Sequence, residues 1–178
     1  MVLVLSGPVR AGKTTFVARR LPLWRARGLD CGGFLSVAAG PSGGDGYDLV
    51  SLEDGGGRPF LRRADIPGAE RTGPFALVPE TLELARSLVR AARPGRLLVV
   101  DEVGPLELRG GGLWPALAEA LGRPGTEALL VARVGVAAEL AAALAPAVPR
   151  VVDVRDPAAG RLLDERLFGR QGSDDRRS

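Results

Sequence analysis

Short apolar runs alternate with amphipathic stretches along this chain, and the alternation predicts strands and helices in turn. Buried strands are predicted where a short apolar run ends at turn-forming residues, at 2–6, 97–100, 128–132 and 151–154. Helices are predicted where apolar residues recur at helical spacing, from near Lys13, from Pro79, and at 113–121, 136–145 and 157–168. Strands that alternate with helices in this way predict a mostly parallel sheet covered by helices on both faces, which is a three-layer α/β fold.

The segment 32–63 departs from this alternation. Glycine-rich turns of the kind found in antiparallel hairpins separate its strand-like pieces, which lie at 33–37, 47–52 and 58–61. We therefore predict an antiparallel β-hairpin insertion within the sheet domain, followed by a loop over 64–78. Pro22 predicts a kink or an end of the first helix near Leu21, because proline lacks the amide hydrogen that the helix needs.

Length and composition are those of an ordinary globular protein, and they exclude several kinds of chemistry. The chain has 178 residues, no histidine and a single cysteine, Cys31. A serine–histidine–aspartate triad, a histidine-based zinc protease site, a zinc knuckle and an internal disulfide are therefore excluded. The length predicts one domain over 1–168, and the polar, charged segment 169–178 is predicted to be a disordered tail.

Charge and hydropathy bear on where the protein works and what it contacts. The chain has no run of about 18 apolar residues, and its first residues lack the basic region and cleavage site of a secretory leader. We expect a cytoplasmic protein that does not associate with membranes. The net charge is +3, and because 21 acidic residues are interspersed along the chain, we expect no nucleic-acid binding. The sequence does not indicate an oligomeric state.

The first predicted strand leads into a glycine-rich loop that matches the phosphate-binding pattern G-x-x-x-x-G-K-[ST] at every fixed position. In such a P-loop, backbone amides and the start of the following helix surround a nucleotide phosphate. Lys13 is the only lysine beside 23 arginines; its compact ammonium would bridge the β- and γ-phosphates, and the hydroxyl of Thr14 would bind Mg²⁺. The predicted nucleotide-binding residues of the loop are Gly7, Pro8, Val9, Arg10, Ala11, Gly12, Lys13, Thr14 and Thr15.

A pair of carboxylates follows the most apolar predicted strand. Asp101 stands at the end of that strand, where a P-loop needs an acidic side chain to position the Mg²⁺ that Thr14 binds. Glu102 comes next and, in a chain without histidine, is predicted to orient or deprotonate the water that attacks the γ-phosphate. The predicted catalytic residues are therefore Glu102 and Lys13. Thr14 and Asp101 are the predicted metal ligands, and Asp101 is counted with the nucleotide site.

The segment 101–108 reads D-E-V-G-P-L-E-L. Together with the loop at 7–15, it resembles the small P-loop nucleoside-triphosphatases first described from thermophiles, a family also known as cancer-related nucleoside-triphosphatase, which carries D-E-[IV]-G-x-[ML]-E-L after its buried strand. The resemblance covers most of residues 1–168. It implies a RecA-like core, Mg²⁺-dependent hydrolysis of ATP, GTP and other nucleoside triphosphates, and the same roles for Lys13, Thr14, Asp101 and Glu102.

Two stretches depart from the family pattern. After its Gly-Phe pair the family has a Thr-x-Glu stretch followed by arginine, where this chain has Ser-Val-Ala-Ala at 36–39. The family's asparagine before its last arginine is replaced by Val154, whereas the arginine is present as Arg155. We predict that Arg155 contacts the nucleotide base, because a flat guanidinium can stack on an aromatic ring.

A further cation would stabilise the charge that develops on the transferred phosphoryl group. Three arginines are candidates, and their spacing does not choose among them: Arg10, Arg109 and Arg133. The glycine run at 110–112 is expected to be a flexible loop next to the site.

Three functions are compatible with these residues. The first is Mg²⁺-dependent hydrolysis of nucleoside triphosphates to diphosphate and phosphate, with broad tolerance of the base. The second is a small-molecule or nucleoside kinase, in which Glu102 or an aspartate would deprotonate an acceptor hydroxyl. The third is a nucleotide-dependent binding module or switch. The segment 101–108 favours the hydrolase.

Overall fold

The computed structural model describes residues 1–40, 44–145 and 148–169. Apart from Gly169, the predicted tail lies outside the described residues. The strands in the described part of the chain are β1 (Val2–Gly7), β2 (Asp30–Ala39), β3 (Gly46–Ser51), β4 (Gly57–Arg62), β5 (Arg71–Thr72), β6 (Phe75–Leu77), β7 (Arg96–Val103), β8 (Glu127–Arg133) and β9 (Arg150–Asp153). The helices there are α1 (Lys13–Ala26), α2 (Pro79–Arg90), α3 (Pro105–Leu108), α4 (Trp114–Gly122), α5 (Val134–Ala143) and α6 (Ala159–Phe168).

All of these strands belong to one sheet, in the order β5-β6-β4-β3-β2-β7-β8-β1-β9. The strands from β2 to β9 in that order pair in parallel, and we call them the parallel half. The strands from β5 to β3 pair antiparallel and form the antiparallel half. Strand β2 joins the halves, because 30–34 pairs with β7 in parallel and 34–39 pairs with β3 antiparallel.

Helices cover both faces of the sheet, as the alternating pattern predicts. Successive residues of β1 point to opposite faces, so that Leu3 and Leu5 pack with α1 and α6, while Val4 packs with the opposite group of helices, α2, α4 and α5. Each face therefore has its own apolar core, and the three-layer α/β prediction is confirmed. Within the described residues, no helix is both long and apolar enough to cross a membrane.

Two local expectations differ from the structure. Helix α1 does not end near Leu21 but continues through Pro22 to Ala26, because Leu21 and Trp24 are buried against the sheet and this burial offsets the cost of about 3 kcal/mol of an interior proline. The segment 64–78, expected to be a loop, contains β5 and β6. These strands are too short to show a period of two, and the sheet edge supplies their pairing partner.

Candidate active site

The P-loop connects the carboxyl end of β1 to the start of α1, in the middle of the parallel half. Gly12 has φ +80° and caps α1, and its carbonyl accepts the amide of Phe16 at 2.7 Å. Arg10 also has a positive φ, +61°, which is costly for a residue with a Cβ. Contacts within and around the loop must therefore offset this backbone strain.

Gly7 shows why the loop begins with glycine. A Cβ at this position would lie 2.7 Å from Cγ1 of Val154, closer than real Cβ contacts allow. Val154 is fixed there because its amide donates to the carbonyl of Ser6 at 2.8 Å. The residue that replaces the family's asparagine is thus packed directly beside the P-loop.

Lys13 is buried and its ammonium turns back over the loop. Nζ donates to the carbonyl oxygens of Gly7 at 3.2 Å and Pro8 at 2.8 Å. Burial lowers the pKa of Lys13, and the carboxylates of Glu102 and Asp101 oppose this effect. The single lysine of the chain therefore lies near Asp101 and Glu102, the two carboxylates that the sequence analysis placed in the same site.

Asp101 is 1% exposed at the carboxyl end of β7. Its Oδ2 accepts the amide of Ser36 at 3.1 Å, while its Oδ1 has no hydrogen-bond partner among the described residues. Burial raises the pKa of Asp101 to about 7, although the neighbouring hydroxyl of Thr14 lowers it. A buried carboxylate oxygen without a partner is costly, and it marks a position that suits a cation.

Thr14 and Asp101 fit a divalent metal ion that is completed by its substrate. In the described ranges 1–40, 44–145 and 148–169, no group of three or more acidic or cysteine side chains could hold a metal by itself. Mg²⁺ is commonly held by one or two protein oxygens together with water and substrate phosphates. The hydroxyl of Thr14 and the unpartnered Oδ1 of Asp101 provide such a set.

Glu102 is placed by a bulge at the end of β7. Val100 pairs with Leu130 and Val103 with Ala132, so two residues of β7 stand opposite one residue of β8. Within this bulge Glu102 has φ +69°, a left-handed conformation that glutamate rarely adopts. The strained backbone turns the side chain of Glu102 out of the sheet and into the cavity above the P-loop.

That cavity has a volume of about 440 Å³. Of the predicted P-loop residues, Gly7, Pro8 and Ala11 do not line it, and Asp101 lies beneath it. Glu102 and Arg133, at the end of β8, lie on its wall. The predicted nucleotide-binding residues that line it are Val9, Arg10, Gly12, Lys13, Thr14 and Thr15.

The candidate arginines separate by position. Arg10 and Arg133 line the cavity, whereas Arg109 follows α3 and does not. Arg155 does not line the cavity either. Its exposed guanidinium lies against the carboxylate of Asp153, with Nη2 at 2.7 Å from Oδ2, and this pairing lowers the pKa of Asp153 to about 2.

Four residues that line the cavity were not among the predicted site residues: Ser36, Val37, Ala38 and Tyr47. Ser36 holds Asp101 through its amide, and its buried Oγ has no hydrogen-bond partner among the described residues. Tyr47, on β3, lines the same cavity. The departure from the family pattern at 36–39 was a signal for the residues on β2, whereas no local pattern marks Tyr47. Both strands reach the site through the pairing of β2 with its two neighbours.

Two carboxylates, the buried Glu107 and the partly exposed Glu70, hold the segment after Glu102. Glu107 is 5% exposed and accepts the amide of Gly104 at 2.8 Å and that of Leu113 at 3.2 Å. Burial raises the pKa of Glu107. The amide of Gly112 donates to Glu70 at 2.6 Å, and its carbonyl accepts from Arg86 at 2.9 Å. The glycine run that was expected to be flexible is thus tied at its last residue on both sides.

Comparisons with known proteins identify relatives with this architecture. A sequence model of a family described as NTPase matches residues 2–154. Nucleoside-triphosphatase THEP1 of Thermofilum pendens is 32% identical over 124 residues, which are 66% of each chain. The cancer-related nucleoside-triphosphatase homolog of Bos taurus is 32% identical over 136 residues, 70% of this chain and 71% of that protein. The first THEP1 matches span 66%, 59% and 60% of those proteins' length.

Solved structures extend the similarity to nearly the whole chain. The solution structure of a human cancer-related nucleoside triphosphatase superposes with a TM-score of 0.71 at 26% identity, over 97% of this chain and 98% of that one. THEP1 from Aquifex aeolicus, at 16% identity and a TM-score of 0.68 over 92% of this chain and 98% of that one, shares the fold. Because the family model covers most of the sequence, this chain belongs to the NTPase family that the P-loop and the 101–108 segment indicate.

Proposed function

We propose that this chain hydrolyses nucleoside triphosphates to nucleoside diphosphate and phosphate, with Mg²⁺ as its divalent cation and with broad tolerance of the base. The observation that carries the proposal is the placement of Glu102. A bulge and a left-handed backbone put this carboxylate on the wall of the cavity that the P-loop lines. Backbone strain of this kind is concentrated at functional sites in proteins.

The residues around the cavity divide the reaction among them. The amides of the P-loop and the ammonium of Lys13 hold the β- and γ-phosphates. Glu102 orients a water molecule and accepts its proton as the water oxygen bonds to the γ-phosphorus. The bond from that phosphorus to the bridging oxygen breaks, and the diphosphate leaves with the electron pair. Thr14 and Asp101 would hold Mg²⁺, which when bound supplies positive charge to the phosphate oxygens.

Arg133 is our choice among the three arginines for the cation that stabilises the transferred group. It lines the cavity beside Glu102 and lies close enough to Lys13 to lower that residue's pKa. Arg10 lines the same cavity but sits in the loop itself. Removal of a cation of this kind costs about a thousandfold in turnover where it acts directly.

Broad base tolerance is supported by the side chains that border the P-loop. Val9, Val37 and Ala38 line the cavity and offer no side-chain donor or acceptor with which to distinguish bases. A base contact by Arg155 stays a prediction, and it requires the guanidinium to leave Asp153. The cytoplasmic location and the absence of nucleic-acid binding stay predictions as well.

The test is phosphate release from ATP, GTP, CTP and UTP, with Mg²⁺ or with a chelator and with no acceptor added. We expect release from all four nucleotides, and loss of release in the chelator. Glu102→Gln should lower turnover by about a hundredfold or more while nucleotide binding persists.

Glu139→Gln removes an exposed carboxylate from α5 and is the matched control. It should leave turnover unchanged. Nucleotide binding without phosphate release in the wild type, or full release by Glu102→Gln, would contradict the proposal.

A further inference from the structure

We call the cavity above the P-loop the phosphate cavity. A second cavity, of about 220 Å³, adjoins it on the side of the antiparallel half. Three residues line both cavities: Tyr47, Glu102 and Arg133. The rest of the second cavity is built by β4, by β5 and β6 with the turn between them, and by the segment that follows β7. Its apolar walls are formed by Phe60, Leu61, Phe75, Leu77, Leu106 and Leu113.

The walls of this cavity offer apolar surface and aromatic edges. The rings of Tyr47 and Phe75 meet edge to face with centroids 5.7 Å apart, and the buried ring of Phe60 also lines the cavity. Glu107 also borders the cavity, but both of its carboxylate oxygens accept backbone amides, those of Gly104 and Leu113. A molecule bound there would meet apolar surface over most of its area.

Apart from Glu107, the charged side chains of the second cavity lie at the edge that it shares with the phosphate cavity. Glu102 and Arg133 are the other charged residues among the described residues that line the second cavity. A ligand that fits must therefore be apolar in its body and polar at the end that faces Glu102. Hydrolysis requires only a water molecule at this position, so it leaves the apolar cavity without a role.

We propose that the second cavity is an acceptor site for a small neutral alcohol that carries a ring, and that the protein transfers the γ-phosphoryl group to this alcohol. The proposal rests on the phosphate site and on the role of Glu102 proposed above. The ring packs against the aromatic and aliphatic walls, and the hydroxyl lies at the shared edge.

The transfer uses the groups already assigned to hydrolysis. Glu102 accepts the hydroxyl proton while the alcohol oxygen bonds to the γ-phosphorus. The bond from the γ-phosphorus to the bridging oxygen breaks, and the nucleoside diphosphate leaves with the electron pair. The products are an alkyl phosphate and a nucleoside diphosphate, and water is the acceptor when the cavity holds no alcohol.

The experiment follows the label of γ-³²P-ATP into inorganic phosphate and into alcohol phosphate in the same reaction with Mg²⁺. Benzyl alcohol and 2-phenylethanol carry a ring and a primary hydroxyl. 1-Propanol has the hydroxyl without the ring, and benzyl methyl ether has the ring without the hydroxyl. We expect the ring-bearing alcohols to be phosphorylated about tenfold faster than 1-propanol at equal concentration, and the ether to inhibit that transfer.

A variant that fills the second cavity locates the transfer. Leu106 is half-buried on α3 and lines this cavity but not the phosphate cavity. Leu106→Phe should lower transfer to benzyl alcohol by about tenfold and leave phosphate release to water within about twofold. Leu84→Phe, a half-buried position on α2 outside both cavities, is the matched control and should change neither rate.

Each outcome decides between the two proposals. If the wild type releases labelled inorganic phosphate but forms no labelled alcohol phosphate at any alcohol concentration, the acceptor site is overturned and the proposed hydrolysis is not. Loss of both products with nucleotide still bound overturns the hydrolase. Transfer that Leu106→Phe does not lower shows that the alcohol reacts from elsewhere. If Leu106→Phe loses nucleotide binding, inhibition of wild-type transfer by the ether decides instead, and its absence overturns the proposal.

Discussion

The two cavities are lined by different chemical groups. Backbone amides and charged side chains dominate the phosphate cavity, and apolar side chains dominate the second cavity. The phosphate cavity is formed mainly by the parallel half, from loops at the carboxyl ends of its strands, where backbone amides and Lys13 lie above the buried Asp101. The second cavity is formed by side chains of the antiparallel half, such as Phe60 and Phe75, together with side chains such as Leu106 of the segment that follows β7. A site made of backbone and charge depends on a few atoms, whereas a site made of apolar walls depends on shape.

Glu102 belongs to both cavities because of the bulge in β7. The phosphate cavity is therefore suited to hold the phosphates of a nucleotide. The second cavity is suited to hold the acceptor of the γ-phosphoryl group that we propose. Substitutions in the parallel half should affect nucleotide binding and turnover most strongly. Those around the antiparallel half should affect stability and the choice of acceptor.

Lys13 offers the largest effect. Lys13→Ala should lower turnover by about a hundredfold to a thousandfold, because it removes the ammonium that lies over the P-loop and that we propose binds the β- and γ-phosphates. Steady-state phosphate release measures this. Arg19→Ala, an exposed cation on the same helix, is the control and should leave turnover unchanged. Equal losses in both variants would show that the helix as a whole, and not this ammonium, carries the effect.

Asp101 should make stability depend on pH in the metal-free protein. Its pKa is raised from 3.8 to about 7 by burial, so the protonated form stabilises the fold below pH 3.8, and this stability is lost as the pH rises through about 7. The loss is at most about 4 kcal/mol, from about three pKa units.

The measurement is urea unfolding of wild type and Asp101→Asn between pH 4 and pH 8, in chelator. The wild type should lose stability relative to Asp101→Asn over this range, and Mg²⁺ with nucleotide should restore the wild type alone. A constant difference between the two proteins would show that the buried carboxyl does not titrate in this range.

Gly7 tests the shape of the P-loop without removing a charge. Gly7→Ala should weaken nucleotide binding by about tenfold to a hundredfold, because its Cβ would meet Val154 at 2.7 Å and push the loop aside. A nucleotide titration by calorimetry measures the affinity. Val154→Ala removes the obstructing methyl groups, so the double variant should bind as Val154→Ala does alone. Failure of this rescue would place the constraint in the loop and not in its neighbour.

The phosphate cavity was largely predictable from the sequence. Its residues follow strands whose apolar runs are long enough to read, and a P-loop fixes residue types at fixed spacing. Lys13, Thr14, Asp101 and Glu102 were all expected near one another, and the structure brings them together. The strain at Glu102 was not predicted, since a bulge depends on the register between β7 and β8.

The second cavity was not predictable from the sequence. It depends on β5 and β6, whose pairing is set by the sheet edge, and on Tyr47, which β3 carries to the shared edge of the two cavities. These contacts join segments far apart in the chain. Likewise, helix α1 continues beyond Pro22 because Trp24 is buried against the sheet, and the sequence pattern does not show this burial. Local patterns do not contain tertiary contacts of this kind.

The smallest expected effects come from the carboxylates that fix the boundary between the halves. Glu107→Gln leaves one of two buried amides, those of Gly104 and Leu113, facing an NH₂ group. It should lower the free energy of unfolding by about 1–3 kcal/mol. Glu70→Gln should cost less, about 1 kcal/mol or below, because the pair of Glu70 with Arg86 is partly exposed and water can replace it.

Urea unfolding and a nucleotide titration on the same samples separate stability from function for this boundary. Nucleotide affinity should stay within about twofold of the wild type in both variants, because neither side chain contacts the P-loop. Transfer to benzyl alcohol should fall in Glu107→Gln, since this residue holds the wall of the second cavity at Leu113. If Glu107→Gln instead weakened nucleotide binding as strongly as Gly7→Ala, the two halves would act as a single site. The division between a cavity of backbone and charge and a cavity of apolar walls would then describe shape and not function.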